Sequence, residues 1–471
     1  MAESGTIKFG TSGFRGIIGD NWTKTNIQKL GTALKQMIRE TTKNVGSRVS
    51  IVVGYDNRFM GRENAKWFCE ALACDIIDIT MFTMPVPTPV IAFSAVSEFD
   101  YGIMFTASHN PFIYNGIKVM LKGGREADDE FFARLSKYLD TKPQFVDTEV
   151  KYISDTSSYI NKVLSLLDVE KIKKSSLKVL FNSMHGSSAA IVKELLDSLE
   201  LKYEIMNDQP DPYFAGMVPA PYEYNLAAQC KRVVKEKFNF GFALDGDGDR
   251  IAFVDTDGKF YDCNYLLAVF YYYYVEYKKR SGSIVKNLLS SNLTVKLSKK
   301  YGHDMYETRV GFKFLGEKLH TTDSLMAGES TGIAFKDISL CKDGIFAAFL
   351  LIEAAVNMKK SIGKLIEEIM DLVGFQTFYA EVAYAYDESQ REKLEKRIIH
   401  GGEADFGINI EKTENLPDGV KYHFMDGYWC AARLSGTEPV VRLYTEMPNE
   451  REVLTMIRKL EETYGLTVKQ K

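Results

Sequence analysis

The sequence predicts an α/β fold class: three related α/β domains followed by a C-terminal α+β domain. Three observations lead there. A β-branched apolar run, a short polar or small-residue turn and a helical stretch with apolar residues at three- and four-residue spacing recur three times, in RVSIVVGYDNRFMGRENAKWFCEALA, LKVLFNSMHGSSAAIVKELLDSLE and SIVKNLLSSNLTVKLSKKYG. Beyond Gly374 the order changes to strands first, in FQTFYAEVAYAY, then a helix at ESQREKLEKRII, further strands and a last helix at NEREVLTMIRKLEETYG. Finally, 471 residues amount to three or four domains at ~150 residues each.

The elements divide as follows. The first domain is expected over residues 1–148 and closes on the polar stretch YLDTKPQFVDTEVKYISDTSS, which breaks the apolar rhythm. Within it, MPVPTPV has prolines at alternate positions and reads as a stiff connection between a strand and a helix. The second domain, 149–258, ends near IAFVDTDGKF; the third, 259–373, ends where SIGKLIEEIMDLVG gives way to alternation; the fourth is 374–471. In the third, FYYYYVEYKKR is basic only at its C-terminal end, which suits helix core or interface better than a nucleic-acid stacking platform. GIFAAFLLIEAAV carries Glu353 and falls short of the ~20 apolar residues needed to cross a bilayer, so a buried helix is expected.

Composition narrows the function classes. Hydrophobic residues at 45% and charged residues at 26% are ordinary globular values, and a formal charge of −4 offers no basic excess for nucleic acid or anionic membrane. Six scattered cysteines form neither CxxC pairs nor a disulfide framework, and MAESGTIKFG lacks the pattern of a secretory signal; reduced thiols and a cytoplasmic location are expected.

Four segments carry chemistry. In FGFALDGDGDRIAFVDTDG, Asp245, Asp247 and Asp249 alternate with Gly246 and Gly248, so a turning backbone can aim three carboxylates at one point. Such a cage suits a hard divalent cation, and Mg2+ in particular takes a few carboxylates plus a phosphate. An EF-hand is excluded, since its sixth and twelfth loop positions would be Arg250 and Thr256 and its flanks are strand-like; a solvated acidic turn would leave three carboxylates repelling one another. Arg250 follows the acids and matches a metal-bound phosphate. ARLSGTEPVVRLY offers Arg433, Ser435, the Gly436 backbone and Thr437 as an anion nest. AGESTGIAF presents Glu329, a carboxylate able to accept two adjacent hydroxyls, followed by Thr331. FTASHNPFIYNGIKV ends an apolar run on Ser108 and His109, with Lys118 beyond; a polar run closing in proline also simply terminates a strand.

Taken together, TASHNP, DGDGDR, GEST with Gly332, RLSGTEP and the N-terminal FGTSGFRG, in that set and spanning the chain, resemble the α-D-phosphohexomutase superfamily of phosphoglucomutases and phosphomannomutases. The resemblance implies four domains around a central cleft. It implies Ser108 as a phosphoserine that lends its phosphoryl group to a sugar, with Mg2+ on Asp245, Asp247, Asp249 and a Ser108 phosphate oxygen. It offers Lys118 as general base or acid, assisted by His109, provided neighbouring cations lower the lysine's pKa. Arg15 and Arg250 would surround the reacting phosphate, Arg433, Ser435, Gly436 and Thr437 would hold the distal one, and Glu329 with Thr331 would bind sugar hydroxyls. A 1,6-bisphosphate intermediate would turn over in the cleft, and glucose 1,6-bisphosphate is expected to activate any unphosphorylated enzyme.

VGFKFLG, with Lys313, resembles the loop of glucose-preferring members, and Ile333 stands where some members place histidine. Glucose 1-phosphate and glucose 6-phosphate are therefore expected ahead of mannose phosphates or dual specificity, with N-acetylated sugars behind. A metal-dependent sugar phosphatase is the alternative enzyme class; a serine hydrolase is not, for want of a G-x-S-x-G elbow. The partners expected are small sugar phosphates, with the chain a monomer or homodimer.

Overall fold

Four β-sheets form among the described residues, and three of them repeat one plan. The computed structural model describes residues 6–10, 13–42, 47–146, 149–399, 404–435 and 439–466. In the first sheet, Val49–Tyr55 lies between Ile77–Phe82 and Tyr101–Phe105, parallel to both. Parallel neighbours need crossovers, and the helices Gly61–Leu72 and Thr88–Ser97 supply them. Tyr101–Phe105 then meets Tyr114–Leu121 antiparallel, which leaves residues 106–113, with Ser108 and His109, as the connection.

The second sheet repeats this order. Lys178–Asn182 lies parallel between Lys202–Met206 and Phe240–Leu244, and Ile251–Val254 returns antiparallel with Leu244 opposite Ile251. The third places Ile284–Asn287 parallel between Met305–Thr308 and Met326–Glu329, and Gly332–Phe335 returns with Glu329 opposite Gly332. The serine loop, the aspartate loop and the Glu329–Thr331 turn thus occupy one topological position in three sheets, each at the carboxyl end of a strand with a parallel neighbour, where α/β folds place their chemistry.

Two stretches fall elsewhere than the sequence boundaries suggest. Val150–Ile153, expected to open the second domain, pairs parallel with Ile77–Phe82 as the edge of the first sheet. Leu289–His303, expected within the third domain, groups with the residues from Ile366 onward as one compact unit; Asp304–Leu365 group with the residues up to Leu288 as the other.

GIFAAFLLIEAA lies in the helix Gly344–Met358, buried along eleven residues because it packs against strands of both the second and third sheets. Burial on every side explains a run without polar periodicity. No helix among the described residues is long and apolar enough to cross a membrane. The tyrosine run continues the helix Cys263–Tyr272 into a π-turn at Tyr273–Tyr277, with Tyr271, Tyr273 and Tyr274 buried. In the C-terminal unit, five antiparallel strands run in the order Phe378–Ala385, Val440–Met447, Trp429–Leu434, Gly419–Phe424, Ile410–Leu416. The helices Arg391–Ile398 and Glu450–Tyr464 contribute Leu394, Ile398, Met456 and Leu460 to its core.

Candidate active site

Ser108 is buried, and its backbone is left-handed at φ 50°. That conformation costs a residue with a Cβ about 1–2 kcal/mol, so neighbours must enforce it. Its Oγ donates to Asp245 Oδ2 at 2.6 Å, and His109 Nδ1 lies 3.4 Å from the same Oγ. Asn110 accepts from the Arg15 guanidinium through its side-chain oxygen. Arg15 arrives on the strand Gly13–Ile17, whose register sets it opposite Gly116 on Tyr114–Leu121. Burial and the nearby Arg250 push the Arg15 pKa down, against the pull of Asp247, Asp249 and Glu126.

Asp245, Asp247 and Asp249 are fully buried and bring three carboxylate oxygens within 4.8 Å of one another. Two glycines permit this. Gly248 turns the loop at φ 72°, and a Cβ on Gly246 would lie 2.8 Å from the Ser108 carbonyl, so only glycine lets the aspartate loop lie against the serine loop. Thr88, at the start of its helix, donates its amide to the Asp247 carbonyl at 2.8 Å and its hydroxyl to Asp247 Oδ2. Burial and the other two aspartates push Asp245 far up; in Asp247 burial is outweighed by Lys118, which holds the carboxyl below its usual range.

Lys118 Nζ lies 2.7 Å from Asp247 Oδ2 and 2.5 Å from Asp249 Oδ2. Burial works to lower its pKa, yet Asp247, Asp249 and Glu126 outweigh burial and raise it. Two of the three carboxylates thus touch the ammonium directly through their Oδ2 atoms. The buried Oδ1 atoms of Asp247 and Asp249 accept no hydrogen bond. Orphaned anionic oxygens inside a protein call for a cation, and an all-oxygen donor set of this kind fits Mg2+.

Lys342, which nothing in the sequence marked, links the aspartate loop to the Glu329 turn. Its Nζ lies 3.9 Å from Asp249 Oδ1 and 3.7 Å from Glu329 Oε1. Glu329 also accepts from Asn287 at 3.2 Å and from Thr331 Oγ1 at 3.1 Å. Asp343, beside Lys342, caps the helix Gly344–Met358 through the Phe346 amide and takes the Tyr159 hydroxyl on both oxygens at 2.9 Å. Arg250 completes the cluster, its amide on Asp245 Oδ1 at 3.0 Å and its Nε 3.9 Å from Asp245 Oδ2.

Lys313 stands apart from this group in its bonding: its ammonium pairs with Asp129 at 2.5 Å. In the C-terminal unit, Asp418 grips Arg433 with both carboxylate oxygens, and the Ser435 amide donates to the Val440 carbonyl at 2.8 Å. Gly436 and Thr437 lie outside the described residues.

Four consecutive stretches match phosphoglucomutase/phosphomannomutase domains: alpha/beta/alpha domain I over residues 6–144, domain II over 157–258, domain III over 262–373 and the C-terminal domain over 385–462. The chain belongs to this family. It is a phosphohexomutase, an intramolecular phosphotransferase of the isomerase class. The phosphohexomutase is 30% identical to a Thermococcus kodakarensis phosphoglucomutase/phosphomannomutase, over 96% of this chain and 98% of that one. It is 27% identical to the phosphoglucosamine mutase of Methanocaldococcus jannaschii, over 96% of each. A Thermus thermophilus structure described as a candidate phosphomannomutase superposes with a TM-score of 0.85 at 25% identity, covering 98% of this chain and 99% of the other. An Aspergillus fumigatus N-acetylphosphoglucosamine mutase, solved with GlcNAc-6P and magnesium, shares the fold at a TM-score of 0.56 and 14% identity, over 99% and 96% of the two chains. The aspartate cluster fits the Mg2+ site of the family. The names of these relatives differ in the sugar.

Proposed function

We propose that this phosphohexomutase interconverts the 1- and 6-phosphates of a hexose, glucose first, by way of a phosphate carried on Ser108. The single observation that supports the reading best is the contact of Ser108 Oγ with Asp245 at 2.6 Å, in a buried cluster that also holds Lys118, Arg250 and the other two aspartates. Asp245, Asp247 and Asp249, with a phosphate oxygen on Ser108, would hold Mg2+, which when bound offsets charge on the transferring phosphoryl group.

The chain's own groups do the rest. In the first half-reaction the bond from phosphorus to Ser108 Oγ breaks as one to a sugar oxygen forms, and the proton lost by the sugar hydroxyl is matched by one gained at Oγ; in the second, the bond from the other phosphorus to its sugar oxygen breaks as one to Oγ forms, and the proton moves back to the sugar oxygen. His109, 3.4 Å from Oγ, is placed to move the proton at the serine. Lys118, bonded to Asp247 and Asp249, offsets their charge and is the general base or acid for the sugar hydroxyl, base in one half-reaction and acid in the other. Arg15 and Arg250 are the cations for the reacting phosphate, and Arg433, Ser435, Gly436 and Thr437 take the distal one. Glu329, steadied by Asn287, Thr331 and Lys342, accepts a pair of neighbouring sugar hydroxyls in either orientation of the bisphosphate. The glucose reading rests on VGFKFLG, whose Lys313 is bonded to Asp129 and would exchange that partner for substrate. The name of the Methanocaldococcus relative favours glucosamine phosphates as a second reading.

A coupled assay of glucose 1-phosphate, mannose 1-phosphate and glucosamine 1-phosphate, each with Mg2+ or a chelator, tests this. Glucose 1-phosphate is expected to give the highest kcat/KM, Ser108→Ala to abolish turnover and added glucose 1,6-bisphosphate to stimulate enzyme lacking phosphate. Comparable activity from Ser108→Ala would overturn the mechanism, and stoichiometric release of inorganic phosphate would indicate the phosphatase instead.

A further inference from the structure

The loop bearing Ser108 rests on a buried pair that neither the motifs nor the comparisons single out. Arg58, at the end of GYDNR, is buried, and its guanidinium donates to four carbonyls between Ser108 and Tyr114. Nη2 reaches the Ser108 and Asn110 oxygens at 2.6 Å each, and Nη1 those of Pro111 and Tyr114 at 2.9 Å each. Asp56 faces the same guanidinium, with Oδ2 at 3.3 Å from Nε. That carboxylate oxygen also accepts the Thr106 hydroxyl at 2.6 Å, and Thr106 Oγ1 in turn accepts the Ser108 amide at 2.8 Å. The Phe214 ring, from the chain that leads to the aspartate loop, covers the guanidinium at 4.9 Å.

We infer that Asp56 and Arg58 form a bracket that grips both peptide flanks of Ser108, the carbonyl directly and the amide through Thr106, and that they are positioning residues for phosphoryl transfer. The inference rests on the reading of Ser108 as the phosphate carrier. A left-handed serine has no intrinsic reason to stay where it is, and in that conformation the bracket satisfies both of its backbone groups. The gripped carbonyls of residues 108 and 110 flank His109, so one guanidinium sets nucleophile and imidazole together. Five donors in a fixed planar fork make this possible; a lysine carries the charge without the fork.

Thr106→Val, Thr106→Ser, Arg58→Lys and Arg58→Ala in the full chain test it, assayed on the hexose 1-phosphate that the wild type turns over best, with Ser108 phosphate followed by intact mass. Thr106→Val and Arg58→Lys are expected to lower kcat about 100-fold while KM stays within about threefold, the size of effect that a misplacement of roughly 1 Å produces. Thr106→Ser keeps the hydroxyl and should restore turnover. Added guanidinium should rescue folded Arg58→Ala and ammonium should not. Turnover of Thr106→Val within about threefold of wild type would overturn the bracket, and this arm decides alone if the Arg58 variants fail to fold. A wild-type enzyme that turns over yet never carries phosphate on Ser108 would overturn the site reading instead.

Discussion

Lys342 shows how a single side chain can join two functions. It lies between Asp249 and Glu329, so Lys342→Met should leave two carboxylates facing each other and lower kcat/KM by about 100-fold, the usual loss for one preorganised charge in a closed site. Steady-state kinetics check this, and a change confined to Tm would refute it. Beside it, burial pushes the Asp343 carboxyl up to about 7, against the bonds from Phe346 and Tyr159. The folded chain thus binds this proton more tightly than the unfolded chain, whose value is 3.8. The group's contribution to stability is whole below pH 3.8 and is lost as pH rises through about 7. Asp343→Asn keeps acceptors for Tyr159 and Phe346 without the buried charge. It should therefore raise Tm by several degrees at about pH 8 and much less at about pH 5. Equal shifts in thermal melts at both pH values would show that ionisation is not the cause.

At the scale of elements, the loops that carry Ser108, the three aspartates and Glu329 each follow a parallel-paired strand and return antiparallel, which fixes where their side chains emerge. Glycine placement then decides how closely the loops approach. Gly246→Ala would set a Cβ 2.8 Å from the Ser108 carbonyl, whereas Gly302→Ala meets nothing within 4 Å and strains only a backbone at φ 68°. Both should lose about 1 kcal/mol or more in denaturant melts, but Gly246→Ala alone should also raise the Mg2+ concentration needed for half-maximal activity. The repeated apolar run, turn and helix was legible for all three domains, because burial imposes hydrophobic period and β-branching. Val150–Ile153 was not, since an edge strand amid polar residues carries little periodic signal. Thr88 was hidden in MPVPTPV, where the prolines announce stiffness and nothing announces that the threonine meets Asp247.

For the molecule as a whole, the three buried carboxylates imply that metal and stability are linked. Saturating Mg2+ should raise Tm by several degrees and chelation should lower it while stopping turnover, as for any ligand bound by the folded state alone; an unchanged melt with chelator would count against a metal there. The C-terminal unit has its own buried anchor. Glu446 accepts from Asn292 at 2.8 Å, Thr377 at 2.6 Å, Trp429 at 2.6 Å and the Ser291 hydroxyl, so it draws Leu289–His303 into that unit. Glu446→Ala strands four donors and should destabilise this unit by at least about 3 kcal/mol, read from its own transition in chemical denaturation. The sequence by itself determined the fold class and the family and marked the acidic, serine, glutamate and basic segments as candidates, because short-range spacing sets hydrophobic period, turn geometry and local charge. Only the tertiary structure decided that Lys118 pairs with two aspartates, that Lys342 bridges two loops and that Arg58 lies beneath the serine. Those roles depend on distances between residues far apart in the chain, and burial and Coulomb energy follow distance in space rather than along the sequence.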